Sequence, residues 1–203
     1  MRRTLALGAC AVLMAAGAAA SAVHAAEAAP EVAPVERLHA ALIDVMQHAD
    51  ALQDAGRRET LTPVLDSSFD LTNMAARSLG RHWKKLQTEE RRRFVRAFRE
   101  LTISTYAARF DGYSGEEFET LSVEPSIRET RIVHTVLHTS DDDIRLDYRV
   151  HATRSGYRII DVYLNGTVSE IALRRSEYTS KLKRDGFEAL VSALESKAAP
   201  ESS

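Results

Sequence analysis

Ile144-Arg145-Leu146-Asp147-Tyr148-Arg149-Val150-His151 alternates apolar and polar side chains without a break, and Arg154-Ser155-Gly156 then turns the chain into Tyr157-Arg158-Ile159-Ile160. Side chains on an extended strand point to opposite faces in turn, so a period of two describes a strand with one buried face. A turn this short leaves the two strands antiparallel neighbours. The same reading extends outward to four strands, over about 117–123, 127–139, 143–153 and 157–165. Asp111-Gly112-Tyr113-Ser114-Gly115 marks where this period begins.

Upstream of that turn the period is 3.6. Val35, Leu38, Leu42, Val45, Met46 and Ala49 predict a first amphipathic helix, and Pro63 is expected in the first turn of a short helix around 60–66. A further helix is expected over 68–79, with Leu71, Met74, Ala75 and Leu79 on one side and Gly80 as its stop. Trp83 falls in a connecting segment, after which Thr88 is placed to cap a helix whose stripe is Phe94, Val95, Phe98, Leu101, Thr105 and Tyr106. Beyond Asn165-Gly166 the chain returns to helix, through Ile171, Leu173 and Tyr178, and again past Gly186 through Leu190, Val191 and Leu194. Helices, then a strand meander, then helices describe an α+β domain in which a curved four-stranded antiparallel sheet packs against several helices. The conical space between them is an expected apolar cavity, on the order of 300 to 1,000 Å³ when such a site holds a ligand.

With 203 residues, 44% of them hydrophobic, the chain can bury one sizeable core. Met1-Arg2-Arg3 followed by an apolar run from Leu5 to Ala20 reads as a secretory signal, cut after Val23-His24-Ala25. The expected organisation is a signal over 1–25, a flexible Ala, Glu and Pro lead-in over 26–34, one domain over 35–195 and a tail over 196–203. Cys10 is the only cysteine and lies within the signal; too few apolar residues precede Leu7-Gly8-Ala9-Cys10 for a lipoprotein signal. The exported product would therefore lack disulfides and thiol chemistry. Losing Arg2 and Arg3, and no acid, leaves a charge of −4 where the full chain carries −2. That balance argues against nucleic acid as a partner.

Candidate chemistry thins out on inspection. His134 and His138 would suit a metal if they shared a helix face, but on a strand rising about 3.3 Å per residue they stand roughly 13 Å apart. His39 and His48 do not share a helical face well. Gly112-Tyr113-Ser114-Gly115 lacks the spaced glycine of a nucleophile elbow and reads as a turn, as do Asn165-Gly166-Thr167 and Asp141-Asp142-Asp143. No phosphate-binding or dinucleotide motif is present, and no cofactor is expected. Arg91, Arg92, Arg93, Arg96 and Arg99 share their helix with Glu89, Glu90 and Glu100 and read as a solvated, paired face, with partner docking as the alternative. Tyr148, Asp161 and Tyr163 are the best acid/base candidates for an isomerase-type enzyme, yet the period does not say whether Asp161 and Tyr163 or Ile160, Val162 and Leu164 face inward. A binding protein, and not an enzyme, is the expectation.

Ser78-Leu79-Gly80-Arg81-His82-Trp83, Thr88 to Leu101, Thr105-Tyr106 and Tyr113-Ser114-Gly115 form one ordered set of segments. Farther on come Leu146-Asp147-Tyr148-Arg149, Tyr157 to Val162, Val168 to Tyr178 and Gly186-Phe187-Glu188-Ala189-Leu190. In this order and spacing, over most of the chain after the signal, they resemble the MlaC family of periplasmic lipid carriers, also called the toluene-tolerance Ttg family. The stretch Gly166 to Tyr178 further resembles the hopanoid-associated branch called HpnM. The resemblance implies an NTF2-like domain whose interior holds the acyl chains of a membrane lipid, phospholipid or hopanoid-type. It also implies shuttling between an inner-membrane ABC transporter bearing an MCE-domain ring and an outer-membrane lipoprotein–porin complex.

A carrier makes physical sense of such a fold. At about 0.8 kcal/mol per methylene, a chain of roughly 15 carbons loses on the order of 12 kcal/mol on exposure to water, so transit needs a dry interior. Candidate lining residues are Leu71, Met74 and Leu79 on one helix and Phe94, Phe98 and Tyr106 on the next. Val133, Leu137, Tyr148, Val162 and Leu164 are the candidates on the sheet. Each is equally explicable as ordinary core.

Overall fold

A computed structural model describes residues 29–200. The signal-like segment, Cys10 and the expected cleavage position lie outside the described residues. Among those described, no helix is long and apolar enough to cross a membrane.

The architecture is α+β. Helices α1 (Ala33–Gln47), α2 (Ala49–Ser68), α3 (Leu71–Leu79) and α4 (Thr88–Arg109) precede strands β1 (Glu117–Pro125), β2 (Arg131–His138), β3 (Asp143–Thr153), β4 (Gly156–Leu164) and β5 (Val168–Ser169), and α5 (Glu170–Ala198) closes the chain. The sheet is an antiparallel meander in the order β1-β2-β3-β4-β5. The expected four strands are all present, and a fifth of two residues is added where the chain leaves the Asn165-Gly166 turn and pairs Tyr163 with Ser169 and Leu164 with Val168.

Several boundaries move, each for a local reason. Residues 127–129, expected as strand, form a 3₁₀ turn in which Arg128 and Glu129 take positive φ. Pro63 sits well inside the helical stretch after Gln53, not in a first turn; it forgoes one backbone bond while Leu61 and Leu65 beside it are fully buried. Tertiary packing therefore carries the helix across the proline. α3 starts at Leu71 behind Asp70, whose carboxylate accepts the Asn73 N–H at 2.9 Å. α4 is capped by Gln87, not Thr88: the Gln87 N–H donates to Glu90 Oε2 at 2.7 Å, closing a reciprocal capping box. The Trp83 segment is a 3₁₀ helix, Gly80–Lys85.

α1 presents Val35, Leu38, Leu42 and Val45, all fully buried, to a single core that also takes in Met74, Leu79, Phe94, Phe98, Val133, Val150, Ile159 and Leu190. A bulge sets which residues of β4 join it. Arg149 pairs with Asp161 and Val150 with Ile159, so Ile160 is the unpaired extra residue and Ile159 takes the core position that strict alternation assigns to Ile160.

α5 is a helical hairpin. Its arms, 170–185 and 187–198, fold back at Gly186, and Lys197 Nζ reaches Glu177 Oε1 at 3.0 Å. Arg93 of α4 holds the second arm through Glu188 at 2.6 Å. Gly186 has φ +85° and ψ 176°, a conformation open to glycine alone. Gly186→Ala is expected to lower stability by about 1–3 kcal/mol, read by urea denaturation, although no neighbouring atom obstructs a methyl group there.

Candidate functional site

The apolar face of β3 and β4 meets the last turn of α4 and the first turn of α5 without filling the space between them. A cavity of about 150 Å³ remains, lined by Tyr106, Arg109, Phe110, Leu146, Tyr148, Val162, Leu164, Val168, Glu170 and Leu173. Tyr106 and Phe110 on its wall belong to a longer chain of aromatic contacts. Phe69 meets Tyr106 edge-on at 5.7 Å between ring centroids, Tyr106 stacks on Phe110 at 5.9 Å, Phe110 lies 6.5 Å from Phe118, and Phe118 stacks on His39 at 3.9 Å. His39 Nε2 and the Tyr148 hydroxyl share a buried hydrogen bond of 3.0 Å, which satisfies both polar tips. Burial lowers the His39 pKa to about 3 and raises that of Tyr148 above the ordinary tyrosine range. Burial likewise pushes the Tyr106 phenol well up. All three groups are neutral at physiological pH, and the charged side chains on the cavity lining are Arg109 and Glu170.

The cavity opens beside a larger groove of about 640 Å³ between α4 and the α5 hairpin, with Arg109, Glu170 and Leu173 common to both. Glu170 Oε1 accepts from Arg174 at 2.6 Å, and Arg174 lies 4.9 Å over the Phe98 ring and donates to Thr102 Oγ1 at 3.2 Å. Leu164, Val168 and Leu173 form an apolar lip at this opening, 49%, 42% and 59% exposed. Large side chains left this exposed at the mouth of an apolar hollow mark a surface built to meet something apolar.

Of the eleven residues proposed from sequence, Tyr106, Tyr148, Val162 and Leu164 border the cavity. Met74, Phe94, Phe98 and Val133 pack in the core, Phe94 edge-on to Tyr178 at 6.0 Å. Leu137 is buried on β2, while Leu71 and Leu79 belong to the core and each also borders a separate surface groove. Sequence reasoning left out Arg109, Phe110, Leu146, Val168, Glu170 and Leu173. Leu146 was legible, since it shares the strand face of Tyr148; the contributions of α4 and α5 depend on where those helices end against the sheet.

The acid/base candidates are divided between the two faces of the sheet. Tyr148 pairs with Val162 and points into the cavity, while Asp161 is committed elsewhere. The Asp161 carboxylate accepts the Val162 N–H at 2.9 Å, the Ile171 N–H at 3.2 Å and the Ser169 hydroxyl at 2.7 Å, tying β4 to the start of α5. His134 and His138 also take separate partners, Asp147 at 3.0 Å and Asp143 at 2.7 Å. Among the described residues no group of three His, Cys, Asp or Glu side chains is placed to share a metal ion.

A helix-backed antiparallel sheet, hollow at one end, mostly apolar within and apolar at its lip, defines an α+β domain of the pocket-forming kind. The model of the MlaC protein family matches residues 36–196, and the chain belongs to that family. A solved structure of a phospholipid-binding protein from Ralstonia solanacearum, in complex with a phospholipid, shares the fold with a TM-score of 0.71 at 18% identity. That match covers 84% of this chain and 97% of the other. No curated protein matches the chain.

Proposed function

We propose that this protein is an exported lipid carrier that holds acyl chain in the cavity between β3, β4 and the ends of α4 and α5. The observation that carries the reading is the lip: Leu164, Val168 and Leu173 stand exposed around an opening into a mostly apolar hollow whose aromatic lining is Tyr106, Phe110 and Tyr148. Family membership and the phospholipid held by the Ralstonia solanacearum protein support the same reading. The cavity is smaller than the roughly 300 Å³ of an ordinary ligand pocket, so a lipid extends from it past Leu173 into the adjoining groove. The cargo is a phospholipid or a hopanoid-type lipid. The protein works in the periplasm, delivered by the 1–25 signal, as the soluble component between an inner-membrane MCE-domain ABC transporter and an outer-membrane lipoprotein–porin complex.

The test is the lipid that survives purification from membrane-containing cells, measured by mass spectrometry of a solvent extract. Wild type is expected to carry lipid. Leu146→Trp fills the hollow from a half-buried position on β3 and is expected to cut bound lipid several-fold while far-UV circular dichroism stays unchanged. An empty wild-type protein, or equal lipid in both, refutes the assignment of the cavity.

A further inference from the structure

The arginines of α4 are the most basic run in the chain, but acids pair with most of them. Arg92 and Arg96 share Glu89 at 3.5 and 3.7 Å, Arg93 reaches Glu188, and Arg99 chelates Asp66 with two bonds of 2.7 Å. Arg91 lies over the Trp83 ring and donates to the Trp83 and Lys84 carbonyls. The free positive charge gathers elsewhere.

Between the 3₁₀ helix after α3 and the first arm of α5 runs a trench of about 500 Å³. Its polar walls are Arg81, His82, Arg175, Lys183, Ser176 and Thr179, with no acid among them. None of the side chains of Arg81, His82, Arg175 and Lys183 makes an ion pair or hydrogen bond among the described residues. Desolvation first, and then the neighbouring cations Arg81, Lys85 and Lys183, hold the His82 imidazole below the ordinary range. Gly80 shapes the floor: at φ +54° it leaves room for Arg175, whose Cδ would stand 3.3 Å from a Cβ at that position. In a chain of net charge −2, like charges brought together without partners form a complementary surface for an anion.

We infer that this trench is a docking site for an acidic segment of a partner protein. The occupant is not the cargo in the cavity, because helical periodicity puts Ala172, Arg175, Thr179 and Lys183 on the side of α5 opposite Glu170, Arg174 and Lys181. It is not a bilayer surface either. None of the exposed large apolar side chains lines the trench, and a concave channel admits an extended chain bearing Glu or Asp better than a flat sheet of headgroups. Ser176 adds a hydroxyl donor suited to a carboxylate, while the Thr179 hydroxyl donates to the Arg175 carbonyl at 2.7 Å.

The experiment is fluorescence anisotropy of the exported chain with a fluorescein-labelled peptide alternating glutamate with serine. A glutamine–serine peptide is the control, and phosphatidylglycerol vesicles are tested in parallel by co-sedimentation. Binding of the acidic peptide is expected, weakening with added salt, and weakening at least about tenfold in Arg175→Ala/Lys183→Ala. Arg92→Ala/Arg96→Ala is expected to bind as wild type, and thermal melts that match wild type establish that both variants are folded. Equal binding of the two peptides, binding retained by Arg175→Ala/Lys183→Ala, or co-sedimentation without peptide binding would overturn the inference.

Discussion

Lowering the pH from about 6.5 to about 3 is expected to strip on the order of 4 kcal/mol from the stability of this protein through His39 alone. The native chain holds that imidazole neutral, with a pKa of about 3, because burial strips the charged form of water; the ring is stacked on Phe118 and hydrogen-bonded to Tyr148. The unfolded chain binds the same proton near the ordinary value of about 6.5. Between those two values the unfolded state takes up a proton that the folded state refuses, so stability falls as pH drops, by at most about 1.4 kcal/mol per pH unit. Above pH of about 6.5 this contribution is fully present. His138 works with the opposite sign, its pKa raised by Asp143 and Glu119, but it is exposed and screened. His39→Phe keeps the ring, removes the titration and leaves the Tyr148 hydroxyl without its partner, at a cost of about 1–2 kcal/mol. The variant should therefore be less stable than wild type at neutral pH and more stable in mild acid. Urea midpoints measured across that range should cross; parallel curves would show that His39 is not buried neutral.

Phe98→Ala is expected to cost about 3–5 kcal/mol and yet leave the cargo in place at temperatures where the variant is folded. Phe98 is fully buried, packs near Phe94 and lies under the Arg174 guanidinium, so truncation opens a void in filled core and removes the cation–π face. It does not border the cavity. Leu146→Trp is its mirror image, with lipid lost and stability nearly kept. Measuring both properties on both variants separates core from cavity more sharply than either alone. If Phe98→Ala emptied the protein while still folded, the hollow would have to extend beneath α4.

The fold was legible because its periods are strong. Leu146, Tyr148 and Val150 announce the inward face of β3, and Phe94 and Phe98 the inward face of α4, through rules that concern each element alone. The helix ends were less legible. Thr88 reads as a cap, but Gln87 caps through its reciprocal bond with Glu90; Pro63 reads as a start, but buried Leu61 and Leu65 hold the helix across it. The Ile160 bulge shows how one unpaired residue exchanges which side chain reaches the core.

Two features lay beyond any reading of the chain as a line. Tyr106 and Phe98 carry the same apolar, aromatic signature on one helix, yet one borders open space and the other fills core, because a cavity exists only where the surfaces of separate elements fail to meet. In the same way the dense arginines of α4 are paired off by Asp66 and Glu188, remote in sequence, while the scattered Arg81, Arg175 and Lys183 are brought together unpaired. Periodicity tells a side chain which way to point from its own backbone; what it meets there is settled by how distant segments pack, since contact and charge pairing act through space and not along the chain.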